Sequence, residues 1–310
     1  MGMRCDLGVT AEQERAPARQ GGGRPDLLTL AAFALFATLV AANFVAVRFT
    51  NRELPPFWGA GTRFGAAGML FLAYAVARRL AAPRGRGLAG ALFYGVFQFG
   101  LGYALAYWAL LEVPAGLAAV ILASIPLFTL LFAAAARLER LRLGAIVGAA
   151  IAMAGVAVVS GEQALGGIPV ASLLATLGSA ASFSLAGVVV KASPPLPLAT
   201  INAVGMLTGA ALLLALSRAL GEVWSPPVER ATWAAQLYLL LAGSVAMFAL
   251  FLFVLRRWTA SAVAYQAVLS PVIAIALSAW LLGEPVTAGL LLGSPLVLAG
   301  VYLGAMRAAG

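Results

Sequence analysis

Stretches of about twenty mostly apolar residues alternate along this chain with short breaks carrying charge or proline, and that is the length a helix needs to cross roughly 30 Å of hydrocarbon. Ten such stretches can be read, at 27–48, 56–77, 88–110, 115–136, 142–160, 169–190, 198–217, 232–255, 259–282 and 286–306. No water reaches the bilayer core to satisfy open amides, so spans of this kind fold as helices. Composition leaves no soluble alternative. The chain is 63% hydrophobic and 10% charged, against about 25% charged residues in an ordinary soluble domain. The expectation is an all-α integral membrane protein with ten transmembrane helices.

The basic residues set its orientation, because loops rich in Lys and Arg stay on the cytoplasmic side. With ten spans, one face collects 15 of the 20 basic residues: four in the N-terminal tail, then Arg78, Arg79, Arg84, Arg86, Arg137, Arg140, Arg142, Lys191, Arg256, Arg257 and Arg307. The opposite face receives Arg48, Arg52, Arg218 and Arg230, and Arg63 lies within the second span. Both termini are therefore expected in the cytoplasm. The formal charge of +9 reads as membrane topology and not as a nucleic-acid surface. Residues 1–26 hold four Arg, four acids and Gly21-Gly22-Gly23, a composition expected to give a disordered cytoplasmic tail with no cleaved signal.

The chain also repeats itself. A shift of 145 residues lays Leu110–Val156 on Leu255–Val301 without a gap and gives eleven identities, among them Pro126 with Pro271, Glu139 with Glu284, Gly144 with Gly289, Gly148 with Gly293 and Gly155 with Gly300. Slightly smaller shifts bring Val45-Ala46-Val47-Arg48 onto Val188-Val189-Val190-Lys191, and Pro56 onto Pro197. The unit is five helices, expected at 27–165 and 166–310. Because five is odd, the second copy must enter the membrane inverted. Inverted repeats characterise secondary transporters, whose substrates bind near the midplane between the repeats; a duplication that merely builds a stable bundle is the plainer alternative.

Several chemistries are excluded. There is no histidine and Cys5 is the single cysteine, so Cys/His metal sites, disulfides and Ser-His or Cys-His nucleophiles are unavailable. No metal site, cofactor or catalytic residue is expected, and the chain is read as a transporter and not an enzyme.

A cargo site is sought where polar groups interrupt the spans. Pro126 and Pro271 lie near the centres of matching spans, and each frees a backbone carbonyl; paired interruptions of this kind point to a transport site, with the two prolines as hinges or helix breaks. Ser124, Ser270 and Gln266 stand beside them. In the third span Gln98 falls at the centre and Tyr94 one turn earlier, a spacing that predicts one shared face continued by Leu101 and Leu105. Tyr103 is a further candidate, whereas Tyr107 and Trp108 read as interfacial anchors. The repeat-equivalent of Gln98 is Gly243, with Ser244 and Met247 nearby. Asn43 and Ser182 are further candidate contacts, each with a plain helix–helix hydrogen bond as the alternative. Arg63 could snorkel, pair with Glu53 or Glu112, or meet a substrate carboxylate. Glycines four residues apart, such as Gly61/Gly65, Gly205/Gly209 and Gly300/Gly304, read as packing seams. Gly283-Glu284-Pro285 reads as a helix stop whose carboxylate caps the next helix.

Asn43-Phe44-Val45-Ala46-Val47-Arg48, Arg63-Phe64 and the segment from Gly283-Glu284-Pro285 to Gly300-Val301 resemble the EamA family of the drug/metabolite transporter superfamily, over about residues 27–306. The resemblance implies a ten-helix bundle exporting small metabolites, often amino acids, from the bacterial cytoplasm through the inner membrane; among members the aromatic amino-acid exporters are most similar. Its partners would be a small-molecule substrate and the lipid bilayer, with no nucleic acid, and the protein would work as a monomer. Four-helix drug antiporters of the same superfamily rely on a Glu in the first helix, and residues 27–48 contain none. Facilitative export of neutral or zwitterionic solutes is therefore expected. The rivals are an organic-anion or nucleotide-sugar carrier, which needs more cations than Arg63, and a membrane enzyme acting on lipid-linked sugars, which needs clustered acids or His.

Overall fold

The computed structural model describes residues 27–136, 143–165, 167–255, 257 and 266–303. The tail at 1–26, Glu139 and Gly304 lie outside the described residues. Helical segments that run on from one another are given one label here. They are α1 (Leu27–Thr50), α2 (Pro56–Ala77), α3 (Gly85–Ala109), α4 (Ala115–Ala135), α5 (Leu143–Leu165), α6 (Val170–Ala192), α7 (Leu198–Ala219), α8 (residues 230–255), α9 (Gln266–Leu282) and α10 (Ala288–Val301). Six of them, α1 to α4, α6 and α7, are long and apolar enough to cross a membrane. Proline opens α2 and stands just before α4, α6 and α7, where its missing N–H would have no intrahelical partner anyway.

Helix pairing follows the internal repeat. The equivalent helices α2 and α7 pack on each other, as do α5 and α10, and the neighbours of α1, namely α8 and α9, correspond to the neighbours of α6, namely α3 and α4. Direction can be read from the glycines. A Cβ on Gly61 would lie 2.8 Å from Leu214 and one on Gly68 2.9 Å from Leu207, so α2 ascends as α7 descends. Along the other seam a Cβ on Gly155 would lie 2.6 Å from the Val297 amide, and one on Gly300 2.5 Å from the Gly148 carbonyl. Equivalent helices thus lie antiparallel along one another, and small residues allow the close approach that substitutes for a hydrophobic driving force in lipid.

The buried core, including Phe64, Phe99, Tyr107, Ile121, Met206, Leu213 and Leu239, draws on both halves. Large apolar side chains cover the outside, from Leu27 and Leu292 to Trp280, which is 79% exposed. A surface so apolar belongs in lipid.

Two helices leave regular α geometry. The middle of α3, Gly95–Gly102, and the middle of α8, Leu241–Ala246, are π-helical. Moving 96–101 by 145 residues gives 241–246, so the distortion is repeated with the sequence. Such turns release carbonyls from the helical ladder and are frequent at functional sites. α4 is interrupted at Ala123 and Ser124, directly before Pro126, whereas α9 continues through Pro271. The two prolines therefore act differently: one sits in the first turn after a break, and the other is accommodated inside a helix.

Candidate functional site

A cavity of about 480 Å³ lies between the halves. One face of α1 lines it with Phe36, Val40, Asn43, Phe44 and Val47, the helical spacing of a single stripe. Arg63 comes from α2, Gln98, Tyr103, Tyr107 and Leu110 from α3, Leu122 and Ile125 from the break in α4, Phe183 from α6, Met247 from α8 and Gln266 from α9. The walls are predominantly aromatic and aliphatic, with a few polar groups, as in pockets for small organic ligands.

Arg63 is the main polar feature of this wall. It is 2% exposed. Its Nε donates to Ser244 Oγ at 3.2 Å, one Nη to the Tyr107 hydroxyl at 3.0 Å, and the other to the Gly243 carbonyl at 3.1 Å. The guanidinium also stands 4.8 Å from the Phe64 ring centroid and 5.7 Å from that of Tyr103, a cation–π arrangement. Both α8 acceptors lie in its π-helical turn, where Ser244 Oγ also donates back to Leu239 O at 2.9 Å. The same Gly243 carbonyl accepts from Asn43 Nδ2 at 3.1 Å. With no side chain at Gly243 the Asn43 amide fits against the backbone, where a Cβ would overlap it. Beyond Arg63 a second space of about 690 Å³ is lined by Trp58, Trp224, Trp233 and Gln236.

The residues singled out from sequence fall into two groups. Asn43, Gln98, Tyr103 and Gln266 line the cavity. Gln98 is half-buried and makes no hydrogen bond among the described residues, while Tyr103 packs against Phe64, Phe99, Tyr107 and Phe183. Gln266 donates to Ser270 Oγ at 2.6 Å, and that hydroxyl in turn donates to the Ala37 carbonyl at 3.3 Å, joining α9 to α1.

The other candidates bond to backbone carbonyls or to neighbouring side chains. Tyr94 does not share the face of Gln98. Its hydroxyl donates to Asn202 Oδ1 at 3.4 Å and its ring meets Phe99 edge-on at 5.4 Å. The cause is the π-helical turn, which brings residues five apart together and rotates Tyr94 toward α7. For the same reason Leu101, expected on that stripe, is 46% exposed. Ser182 donates to the Phe97 carbonyl at 2.7 Å, and Ser179, also on α6, donates to that of Gly102 at 2.9 Å; both acceptors belong to the distorted turn of α3. Ser124 donates to Ile121 O at 2.6 Å, so it satisfies its own broken helix. Ser244 acts on the cavity through Arg63.

Tyr107, expected at the membrane interface, is 1% exposed and faces the cavity. It lies four residues after Tyr103, a spacing that would have placed both on one face. Arg63 pairs with neither Glu53 nor Glu112; Glu53 instead accepts from the Val228 and Glu229 amides. Glu284 caps a helix, but not the next one. Its Oε2 accepts from Ala115 N at 2.8 Å at the start of α4, and its Oε1 from Arg48 Nε at 3.1 Å. Thr287 caps α10 in its place. Arg48 also donates to the carbonyls of Leu110 at 3.0 Å and Leu111 at 2.8 Å. The end of α1, the α3–α4 turn and the α9–α10 turn are thereby tied together beside Val47 and Leu110, at one end of the cavity.

Comparison with known proteins agrees with this geometry. The chain matches the EamA-like transporter family twice, at residues 27–161 and 170–306. It is 31% identical over 255 residues to an Escherichia coli K12 protein described as "uncharacterized inner membrane transporter YedA", covering 81% of this chain and 82% of that one. A Salmonella typhimurium LT2 protein described as "probable amino-acid metabolite efflux pump" is 29% identical over 281 residues, covering 84% of this chain and 89% of the relative. A solved structure described only as the crystal structure of a protein shares the fold, with a TM-score of 0.63 at 23% identity over 90% of this chain and 98% of that one. The helices of membrane length and the twofold match lead to one conclusion: this multi-pass membrane protein belongs to the EamA-like transporter family.

Proposed function

We infer that the protein is a secondary transporter that exports small neutral or zwitterionic metabolites, foremost apolar and aromatic amino acids, across the bacterial inner membrane. The observation that carries this reading is the cavity between two antiparallel halves, apolar and aromatic with Arg63, Gln98, Asn43 and Gln266 as its polar groups. Its size suits one amino acid. The names of the two curated relatives support the membrane and the cargo class.

Ten spans, with both termini cytoplasmic, follow from the distribution of basic residues. Transport would proceed by alternating access, with one set of helices rocking against the other around the break before Pro126 and the distorted turns of α3 and α8. Under that topology the tie between Arg48 and Glu284 would sit at the outer end of the cavity and hold it shut. Among the described residues the lining carries no carboxylate to take up a proton, which favours facilitative export. Impermeant labelling of tags at the two ends tests the architecture. Both ends should be protected in intact cells and labelled in inside-out vesicles; labelling of one end from outside overturns the inverted-repeat reading.

A further inference from the structure

A guanidinium buried to 2% exposure demands a counter-charge, and Arg63 has none among the described residues. Among the described residues no carboxylate lies within ion-pair distance of it, and the cavity lining contains no acidic side chain. Its three protein acceptors, Ser244 Oγ, Tyr107 Oη and Gly243 O, are all neutral. Guanidinium carries five N–H donors, so one remains unused on each Nη atom. The three bonded acceptors and the Phe64 and Tyr103 rings hold the group in one orientation at the wall. A buried cation left unpaired in low dielectric is strongly unfavourable, and an arriving anion would relieve that penalty.

We propose that Arg63 anchors a single carboxylate of the cargo, and that the cavity reads this carboxylate and an apolar body while leaving any amino group unread by charge. One cation admits one carboxylate. The aromatic walls formed by Phe36, Phe44, Tyr103 and Phe183 take the apolar body, and Gln98 is a neutral group that tolerates an ammonium, a hydroxyl or a keto oxygen. The substrate class is therefore apolar monocarboxylates, with the α-amino acid as one member beside its 2-oxo, 2-hydroxy and deamino counterparts. Carboxylate-free amines of the same shape are excluded, because nothing acidic faces them. This inference rests on the transporter reading above for the identity of the occupant as cargo.

The test compares three probes on the purified full chain by thermal unfolding: L-phenylalanine, 3-phenylpropionate and 2-phenylethylamine. The first two should raise the unfolding midpoint saturably, and the amine should bind at least about tenfold more weakly. Arg63→Gln should reduce that preference to about twofold or less, and Arg63→Lys should keep the preference for acids at lower affinity, because an ammonium retains the charge and loses the planar fork. Should Arg63→Gln fail to fold, the wild-type comparison and Arg63→Lys still decide. The proposal is overturned if the amine binds as tightly as 3-phenylpropionate, if neither acid binds, or if a folded Arg63→Gln protein keeps the full preference. Binding of 3-phenylpropionate without exchange of any amino acid in liposomes would remove the export reading and leave the anchor standing. Exchange of amino acids together with equal binding of the amine would do the reverse.

Discussion

Replacing Glu284 by Gln should unlatch the end of the cavity beside Val47 and Leu110, the outer end under the proposed topology. In the present conformation the carboxylate accepts from Arg48 Nε at 3.1 Å and from Ala115 N at 2.8 Å, and the side chains of Arg48 and Glu284 are 25% and 9% exposed. A carboxamide keeps one oxygen and puts an NH2 donor where the other stood, so either Arg48 Nε or Ala115 N loses the oxygen it now uses, and the charge is removed. Hydrogen bonds to charged groups contribute about 1.5–3 kcal/mol each; losing one, with a discount for the partial exposure of Arg48, gives about 2 kcal/mol. That corresponds to a shift of about thirtyfold between latched and unlatched forms. Val47, which is 4% exposed and lines the cavity beside this latch, is the reporter. With Cys5→Ser as background, Val47→Cys should react with an impermeant maleimide from outside about thirtyfold faster when Glu284→Gln is added. Adding Arg48→Gln to that variant should give little further acceleration, because both changes break the same link. Rates equal to within about twofold with and without Glu284→Gln would refute the latch.

Gly243→Ala should impair transport more than expression, because its Cβ would displace the Asn43 amide beside the Arg63 carbonyl acceptor; normal flux with the variant correctly folded would show that this contact is dispensable. Ser182→Ala removes the hydroxyl that donates to the Phe97 carbonyl and should lower stability by about 0.5–1.5 kcal/mol, read as a lower midpoint of thermal unfolding with half-saturation unchanged. The Thr232 side chain, followed by the Val228 and Glu229 amides, holds the Glu53 carboxyl below its ordinary range. A lowered folded-state value means that the contribution is present above the ordinary carboxylate range and lost as pH falls through the depressed value, so proteolysis near residue 228 should accelerate only in acid, and Glu53→Gln should abolish that dependence. An imposed pH gradient should change liposome efflux by less than about tenfold, because among the described residues no carboxylate lines the cavity.

The residues that reveal the fold and those that build the site differ in how openly the sequence displays them. Apolar runs and prolines at helix starts depend on local chemistry, so the limits of α2 and the start of α7 coincide with the runs at 56–77 and 198–217. Glycine seams were legible in part: Gly61, Gly205, Gly209 and Gly300 each stand against a neighbouring helix, as close contact in lipid requires, whereas Gly144, read with Gly148 as a further seam, has nothing within 4 Å. The phase of α3 was not. Ordinary helical spacing puts Tyr94 on the face of Gln98, but the π-helical turn turns Tyr94 toward Asn202. Nothing local in Gly95–Gly102 announces that change; the hydroxyls that donate to its Phe97 and Gly102 carbonyls, on Ser182 and Ser179, are more than seventy positions away along the chain. The Arg63 site had the same obstacle, because its acceptors at Gly243 and Ser244 are 180 and 181 residues distant. Glu284 capped a helix as its chemistry suggested, but the helix it reached belongs to the other repeat.

Counterflow into proteoliposomes preloaded with each of the common amino acids, run with the wild-type chain and with Gln98→Ala, tests the central claim most directly. The account predicts saturable exchange of apolar and aromatic amino acids, with half-saturation raised by the substitution in the cavity wall and protein yield unchanged. Flux that fails to saturate, or exchange of none of them by a correctly inserted protein, would contradict it.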